Sequence, residues 1–304
     1  NKVFHKDNAD MRKEWLIHYD PLYQGIDWGN KSIAWMDISK YMDFEMIKFS
    51  IDDCGRSIPG MMDGMKEGQR KAMFGVFKKN LLYSKPALKV AQLAGYIAEH
   101  SGYHHGEQNL YDSITRQANC FPGSNNLPLL FRGGQFGTRS EGGKDAANAR
   151  YIFTKQDKLT NLIIRPEDFP LLHYKDDDGL SVEPTYYVPI IPLILANGCS
   201  AGIGTGWSSN IPCYNPLDLC RCIRLWLENG DEHKIEELVP WYRGFDGPIT
   251  KIKDGVYTTS GIIEQGKHEN IKIITELPIG LWTDKFKTLL DTWKENGNIK
   301  TYKN

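Results

Sequence analysis

In NARYIFTK, residues 148–155, Tyr151 stands directly behind Arg150 and downstream of the glycine-rich, lysine-bearing run GGQFGTRSEGGKD (133–145). A phenol with an ordinary pKa of about 10 is a weak nucleophile at neutral pH. It needs nearby cations to favour phenolate, or a base to take its proton. A phosphodiester under attack spreads charge over its nonbridging oxygens, and guanidinium groups such as Arg70 and Arg150 can pair with them bidentately. His104 and His105 precede a helix start, where imidazole can donate to an oxyanion or relay a proton. These residue types suit nucleophilic attack on a phosphate. The plainer reading of Arg150 and Tyr151 is surface alternating with core, and with fifteen tyrosines in the chain the residues alone favour it.

Such groups need elements to hold them. QRKAMFGVFKKN (69–80) predicts an amphipathic helix, with Ala72, Met73, Val76 and Phe77 on one arc and Arg70, Lys71, Lys78 and Lys79 on the other. ALKVAQLAGYIAEH (87–100) and GEQNLYDSITRQAN (106–119) predict two more helices, and Glu107 suits the positive end of the last one's dipole. Three short helices joined by tight turns are what a helix-turn-helix requires, and also what plain helical bundles look like. After Pro122, the stretch 125–154 reads as a β-hairpin with a long, glycine-rich tip, a wing carrying Arg132, Arg139, Lys144 and Arg150. Further on, 256–265 and 270–278 read as strands and 283–296 as a helix.

Composition narrows the classes. Across 304 residues the net charge is -1, so the chain is no polycation and any anion site must be local. Between Arg56 and Val90 eight basic residues stand against two acidic ones, a candidate anion-facing surface whose bland reading is a solvated basic face. The six cysteines have no disulfide-framework spacing, which fits a reducing compartment. The longest apolar run, 186–198, is broken by Pro189 and Pro192 and is too short for a membrane span. The polar start is no signal peptide and lacks an initiator methionine, as expected of a piece of a longer chain. SEGGKDA departs from a P-loop in glycine spacing, with Asp145 where Ser or Thr is needed. His105-Gly-Glu107 lacks the second half of a zinc deaminase, and Trp207 replaces the third glycine of a dinucleotide loop at GIGTG. Asp176, Asp177 and Asp178 before Gly179 read as a solvated turn rather than a cation site.

Four longer blocks carry a resemblance: RSIPGMMDGMKEGQRKAMFGVFKKN, KVAQLAGYIAEHSGYHHGEQNL, FPGSNNLPLLFRGGQFGTRSEGGKDAANARYIFT and VEPTYYVPIIPLILANGCSAGIGTGWSSNIP. In this order they resemble the eukaryotic type II DNA topoisomerases over nearly the whole chain. KDNADMRKEWL resembles the tail of that family's TOPRIM domain, and LDLCRCIRLWLENG the first part of its tower. The resemblance implies an α+β chain: a TOPRIM tail and linker over 1–50, a winged-helix DNA-gate domain over 51–201, and the start of an α/β tower over 202–304. It implies that Tyr151 attacks DNA and becomes linked to a five-prime phosphate, with Arg150 and Arg70 stabilising the phosphorane and His105, supported by His104, bonding that phosphate. Ile203 would be the wedge that bends DNA. Lys71, Lys78, Lys79, Gln108, Asp112 and Lys144 would face DNA, although Asp112, Gly60 and Glu67 depart from the family's usual residues.

The resemblance further implies double-stranded DNA as partner, a homodimer in the full-length enzyme, no membrane, and a nuclear location, or a viral replication site if the source is a virus. Mg2+ and ATP would serve the full-length enzyme from domains lying upstream of Asn1, so this piece is expected to contact DNA without cleaving it efficiently. The alternatives are a winged-helix regulator without chemistry and a tyrosine recombinase, which would link to the three-prime end without metal or ATP.

Overall fold

The computed structural model describes residues 3–20, 22, 29, 35–230 and 237–303. Near the N-terminus, α1 (Ala9–Ile17) packs Trp15 against Val3 and Ile47 in a small separate cluster. The helix α2 (Ile38–Tyr41) runs through a π-helical stretch, Met42–Met46, into α3 (Ile47–Ser57). The larger core is built by α4 (Glu67–Lys78), β1 (Leu88–Lys89), α5 (Val90–Ser101) and α6 (Glu107–Ala118). Met73 and Val76 of α4, Leu93 and Ile97 of α5, and Leu110 and Ile114 of α6 meet there. Burial of their apolar surface is what gathers three short helices that would be marginal alone.

The three predicted helices are present, with one difference: Leu88 and Lys89 pair with β2 (Phe153–Thr154) before α5 begins. That pairing takes the place of a regular ladder in the expected hairpin, whose two sides meet through isolated bridges, Leu130 with Gln156 and Gly133 with Phe153. Positive φ at Gly134, Gly137, Gly142 and Gly143 prevents the intervening chain from staying extended.

Beyond β2 come α7 (Thr160–Ile163), a 3-10 turn at Pro166–Leu171, and the hairpin of β3 (Tyr174–Asp177) and β4 (Leu180–Pro184). Of the acidic triplet, Asp176 and Asp177 end β3, and only Asp178 enters the expected turn, with positive φ at Asp178 and Gly179. After α8 (Leu193–Ala196), a second hairpin, β5 (Cys199–Gly204) with β6 (Trp207–Ile211), packs on α3. The helix α9 (Pro216–Asn229) starts on an Asn215 side chain accepting from the Leu217 N–H, with Pro216 in the first turn. The rest is β7 (Ile249–Lys253) paired with β8 (Val256–Thr259), β9 (Ile262–Gln265) paired with β10 (Lys272–Glu276), and α10 (Thr283–Glu295). The chain is thus mixed α and β. The expected boundary after residue 50 falls inside α3 and that after residue 201 inside β5, and this helix and hairpin pack together.

One expectation about α4 needs correction. Arg70 and Lys71 do not lie on a solvated basic face; both are buried. The Arg70 guanidinium, 5% exposed, donates to Asp63 at 2.6 and 2.9 Å and to the Met65 carbonyl at 2.9 Å. Asp63 also accepts the backbone N–H groups of Met65 and Tyr187, at 3.0 and 3.1 Å. Lys71 donates to Glu183 at 2.8 Å and to the Ser101 carbonyl at 2.5 Å, and Lys175 reaches the other oxygen of Glu183 at 3.1 Å. Burial opposes the charge on Arg70, yet the bonds and charge of Asp63, with Glu183 and Glu67, outweigh it and raise the guanidinium above its ordinary pKa. A helical wheel assigns charge to solvent because it cannot show carboxylates arriving from elsewhere in the chain.

Removing one partner of a buried pair leaves an uncompensated charge. Asp63→Ala is expected to lower unfolding stability in urea by about 3–5 kcal/mol, whereas Lys78→Ala, on the exposed end of α4, should change it by under about 1 kcal/mol.

Candidate functional site

The segment bearing Tyr151 is shaped by the start of α5. A helix leaves its first N–H groups without intrahelical partners; here the Val90 N–H donates to the Ile152 carbonyl and the Ala91 N–H to the Ala149 carbonyl, both at 3.0 Å. Ala149 and Ile152 are buried in the core. The two residues between these anchors, Arg150 and Tyr151, are thereby pushed outward. Tyr151 is 70% exposed, and among the described residues nothing hydrogen-bonds its hydroxyl. The Arg150 guanidinium lies 6.0 Å from the Tyr151 ring centre. Asn148 braces this projection: its side-chain oxygen accepts from the Arg150 N–H and Nε at 3.1 and 3.3 Å, and its carbonyl accepts from the Tyr151 N–H at 2.9 Å.

On the neighbouring face of α6, the Tyr111 hydroxyl donates to Glu107 at 3.0 Å, and that bond, together with burial, holds the phenol above its ordinary pKa. The Arg150 charge reaches the same phenol and works the other way, favouring phenolate. One turn along, the Gln108 amide donates to the Asp112 carboxylate at 2.8 Å. The turn before α6 carries both histidines on the surface. His105 sets its ring edge-on to Tyr103, with centroids 5.4 Å apart, and His104 Nε2 lies 3.2 Å from Asp177 at the β3–β4 turn.

A cleft of about 1070 Å³ runs beneath this surface, and Lys66, Gln108, Asp112, Lys144 and Asn148 line it. Lys144 projects from a loop stapled by Asp145, whose carboxylate accepts from the Thr138 N–H at 2.8 Å and the Thr138 hydroxyl at 2.6 Å. The loop's far side rests on the C-terminal elements. Arg139 pairs with Glu276 and donates to the Leu277 carbonyl at 2.6 Å, and a Cβ at Gly142 would collide with the Trp282 ring, so glycine is what permits that approach. Lys78, the last residue of α4, and Lys79 just after it are exposed, stacked over Phe74 and Tyr96. Ile203 stands out 69% exposed near the tip of β5–β6.

The expected residues therefore separate into two groups. Tyr151, Arg150, His104, His105, Gln108, Asp112, Lys144, Lys78, Lys79 and Ile203 all reach the surface. Arg70 and Lys71 do not: both are buried and paired with Asp63 and Glu183, contacts that join α4 to the rest of the core. Sequence reasoning counted Arg56 only within a basic stretch and passed over Asn148 and Asp53. Arg56 bonds Asp53 at 2.9 Å, an i,i+3 pair that local spacing could have shown. Among the described residues no group of three or more His, Cys, Asp or Glu could hold a metal ion. No described helix is long and apolar enough to cross a membrane.

Comparison with known proteins gives a consistent result. The family model for DNA gyrase/topoisomerase IV matches residues 56–304. DNA topoisomerase 2 of Invertebrate iridescent virus 6 is 45% identical over 100% of this chain and 27% of its own length. DNA topoisomerase 2 of Saccharomyces cerevisiae is 49% identical over 95% of this chain and 19% of its own. Among solved structures, the Plasmodium falciparum topoisomerase II DNA-binding, cleavage and re-ligation domain superposes with a TM-score of 0.83 at 44% identity, over 96% of this chain and 38% of that one. The chain thus spans about a fifth to a quarter of the length of these curated relatives.

The staple under Lys144 is pH-sensitive. Burial alone would raise the Asp145 carboxyl, but the bonds from Thr138 bring it below its ordinary value of 3.8. Because the folded pKa is depressed, the staple's contribution is complete above pH 3.8 and is lost as pH falls through the lowered value. Thr138→Val should move the Asp145 pKa upward in a carboxyl NMR titration.

Proposed function

From the premise that this chain belongs to the DNA gyrase/topoisomerase IV family, and within it is a fragment of a type II DNA topoisomerase, we propose that it is the breakage-reunion region of that enzyme. Its three helices α4–α6 and the glycine-rich loop after them act as the winged-helix gate, and α9 to α10 form the start of the tower. The expected division at 1–50, 51–201 and 202–304 is kept in outline, with the β5–β6 hairpin counted as part of the gate because it packs on α3. Double-stranded DNA lies over the cleft, Lys144 meets phosphates, Gln108 and Asp112 line the groove side, and Lys78 and Lys79 add salt-dependent attraction.

In the reaction the Tyr151 hydroxyl oxygen bonds to a backbone phosphorus, its proton passes to a base or solvent, and the phosphorus–O3′ bond breaks as the leaving oxygen takes up a proton. The product is a five-prime phosphotyrosyl link, and reversal reseals the strand. Arg150 and His105 donate to the nonbridging oxygens as charge builds there, with His104 beside them. The observation that carries the reading is the projection itself. A tyrosine held out by two buried neighbours, with a guanidinium 6.0 Å from its ring, is available to a macromolecular phosphate as a core tyrosine is not. Mg2+ and ATP are assigned to other segments of the full-length protein, which acts as a homodimer in the nucleus or at a viral replication site.

In the full-length protein with Mg2+ and supercoiled DNA, Tyr151→Phe should abolish covalent DNA–protein adducts while leaving DNA binding intact, and the trapped adduct should carry the five-prime end. A three-prime linkage would refute the assignment. His105→Ala should slow cleavage by about a hundredfold or more. Lys144→Ala should weaken binding evenly across sequences and reduce the slope of log affinity against log salt by about 1.

A further inference from the structure

The β5–β6 hairpin is fastened at almost every residue around Ile203, and its fastening leads to one carboxylate. On one flank, Lys66 Nζ donates to the Ala201 carbonyl at 2.9 Å. On the other, Gly204 lies so close to α3 that an added Cβ would sit 3.1 Å from both Cα and Sγ of Cys54, and the Thr205 hydroxyl donates to Asp53 Oδ2 at 2.7 Å across 152 positions of sequence. The other oxygen of Asp53 accepts from Arg56 Nη2 at 2.9 Å and from the Ser57 hydroxyl at 3.2 Å. Asp53 is half-buried at the meeting of helix and hairpin. Its carboxyl is held below its ordinary value, first by the Thr205 bond and against the effect of burial, as a carboxylate with several donors should be. Ile203, by contrast, projects freely.

We propose that Asp53 is a positioning residue of the DNA gate: one of its oxygens fixes the hairpin that carries the Ile203 wedge, and the other fixes the Arg56 guanidinium, so that wedge and cation meet DNA as one rigid body. The proposal rests on the reading of the chain as a DNA gate. An apolar wedge opens a base step only if its support resists the unstacking cost. A two-stranded hairpin has little stability of its own, and one anchored only by its strands would swing back. With Asp53 in place, the force on Ile203 passes into α3. The same carboxylate aims Arg56, so an anion-binding group stands at a set distance from the kink.

The test uses the full-length protein with Mg2+, and two duplexes of equal length. One is fully paired, and the other carries unpaired bases at the step that Ile203 would enter, so that bending needs no wedge. Thr205→Val removes the hydroxyl bond to Asp53 without changing side-chain shape, and leaves the backbone bond of residue 205 to the same carboxylate. It is expected to lower covalent cleavage of the paired duplex about tenfold, the size of one hydrogen bond to a charged group. On the unpaired duplex it should stay within about twofold of the wild type. Fluorescence transfer between the duplex ends should report the matching loss of bending, and Thr205→Ser should restore both readouts. Asp53→Asn, which keeps the acceptor for Thr205 but not the charge facing Arg56, should lower cleavage of both duplexes.

Equal loss on the two duplexes with Thr205→Val, or none on either, would overturn the positioning role while leaving the gate reading intact. A wild-type protein that forms no Tyr151-dependent adduct on either duplex would overturn the gate reading and this inference together.

Discussion

The structure turns on how the first turn of α5 finds partners for its backbone N–H groups. The carbonyls of Ala149 and Ile152 supply them, and a helix start buried against a core cannot leave such donors unpaired without a cost of about 1–3 kcal/mol each. With those two residues committed inward, Arg150 and Tyr151 have one direction left. The same hydrogen bonds that begin a helix thus decide that a phenol faces solvent, and they leave Arg150 within electrostatic reach of Tyr111 on α6. The exposure of this phenol is a by-product of helix capping.

Electrostatics follows a similar division of labour. The chain is near neutral, and part of its basic stretch is spent internally. Arg70 and Lys71 hold Asp63 and Glu183 in the core and so join α4 to the segment around Tyr187 and to β4. The six other cations of that stretch stay at least partly exposed, so any attraction for an anion there is local rather than bulk charge. Asp112, which would repel phosphate, is partly answered by the Gln108 amide.

The loop after α6 links this surface to the C-terminal elements. Its contacts with Trp282, Glu276 and Leu277 need both a glycine and an arginine at the tip. Behind those contacts, Asp145 and Thr138 keep the loop that carries Lys144 closed.

Local pattern was enough to determine α4, α5, α6, the turn at 178–179 and α10, because apolar spacing and turn residues act within a few positions. The family motifs pointed to Tyr151, Arg150 and the two histidines, all of which stand at the surface. What the chain's order could not disclose was which charges are buried. Arg70 reads as a surface cation until Asp63 and the strand bearing Glu183 are folded onto it, and Asp53 reads as an ordinary helix acid until Thr205, 152 positions later, meets it. The expected hairpin after Pro122 illustrates the same limit, since its strand at 153–154 pairs with residues 88–89 rather than in a regular ladder with its sequence neighbour. Periodicity encodes a residue's preference for water or core, whereas the partner that overrides that preference is set by long-range packing, which the tertiary structure alone decides.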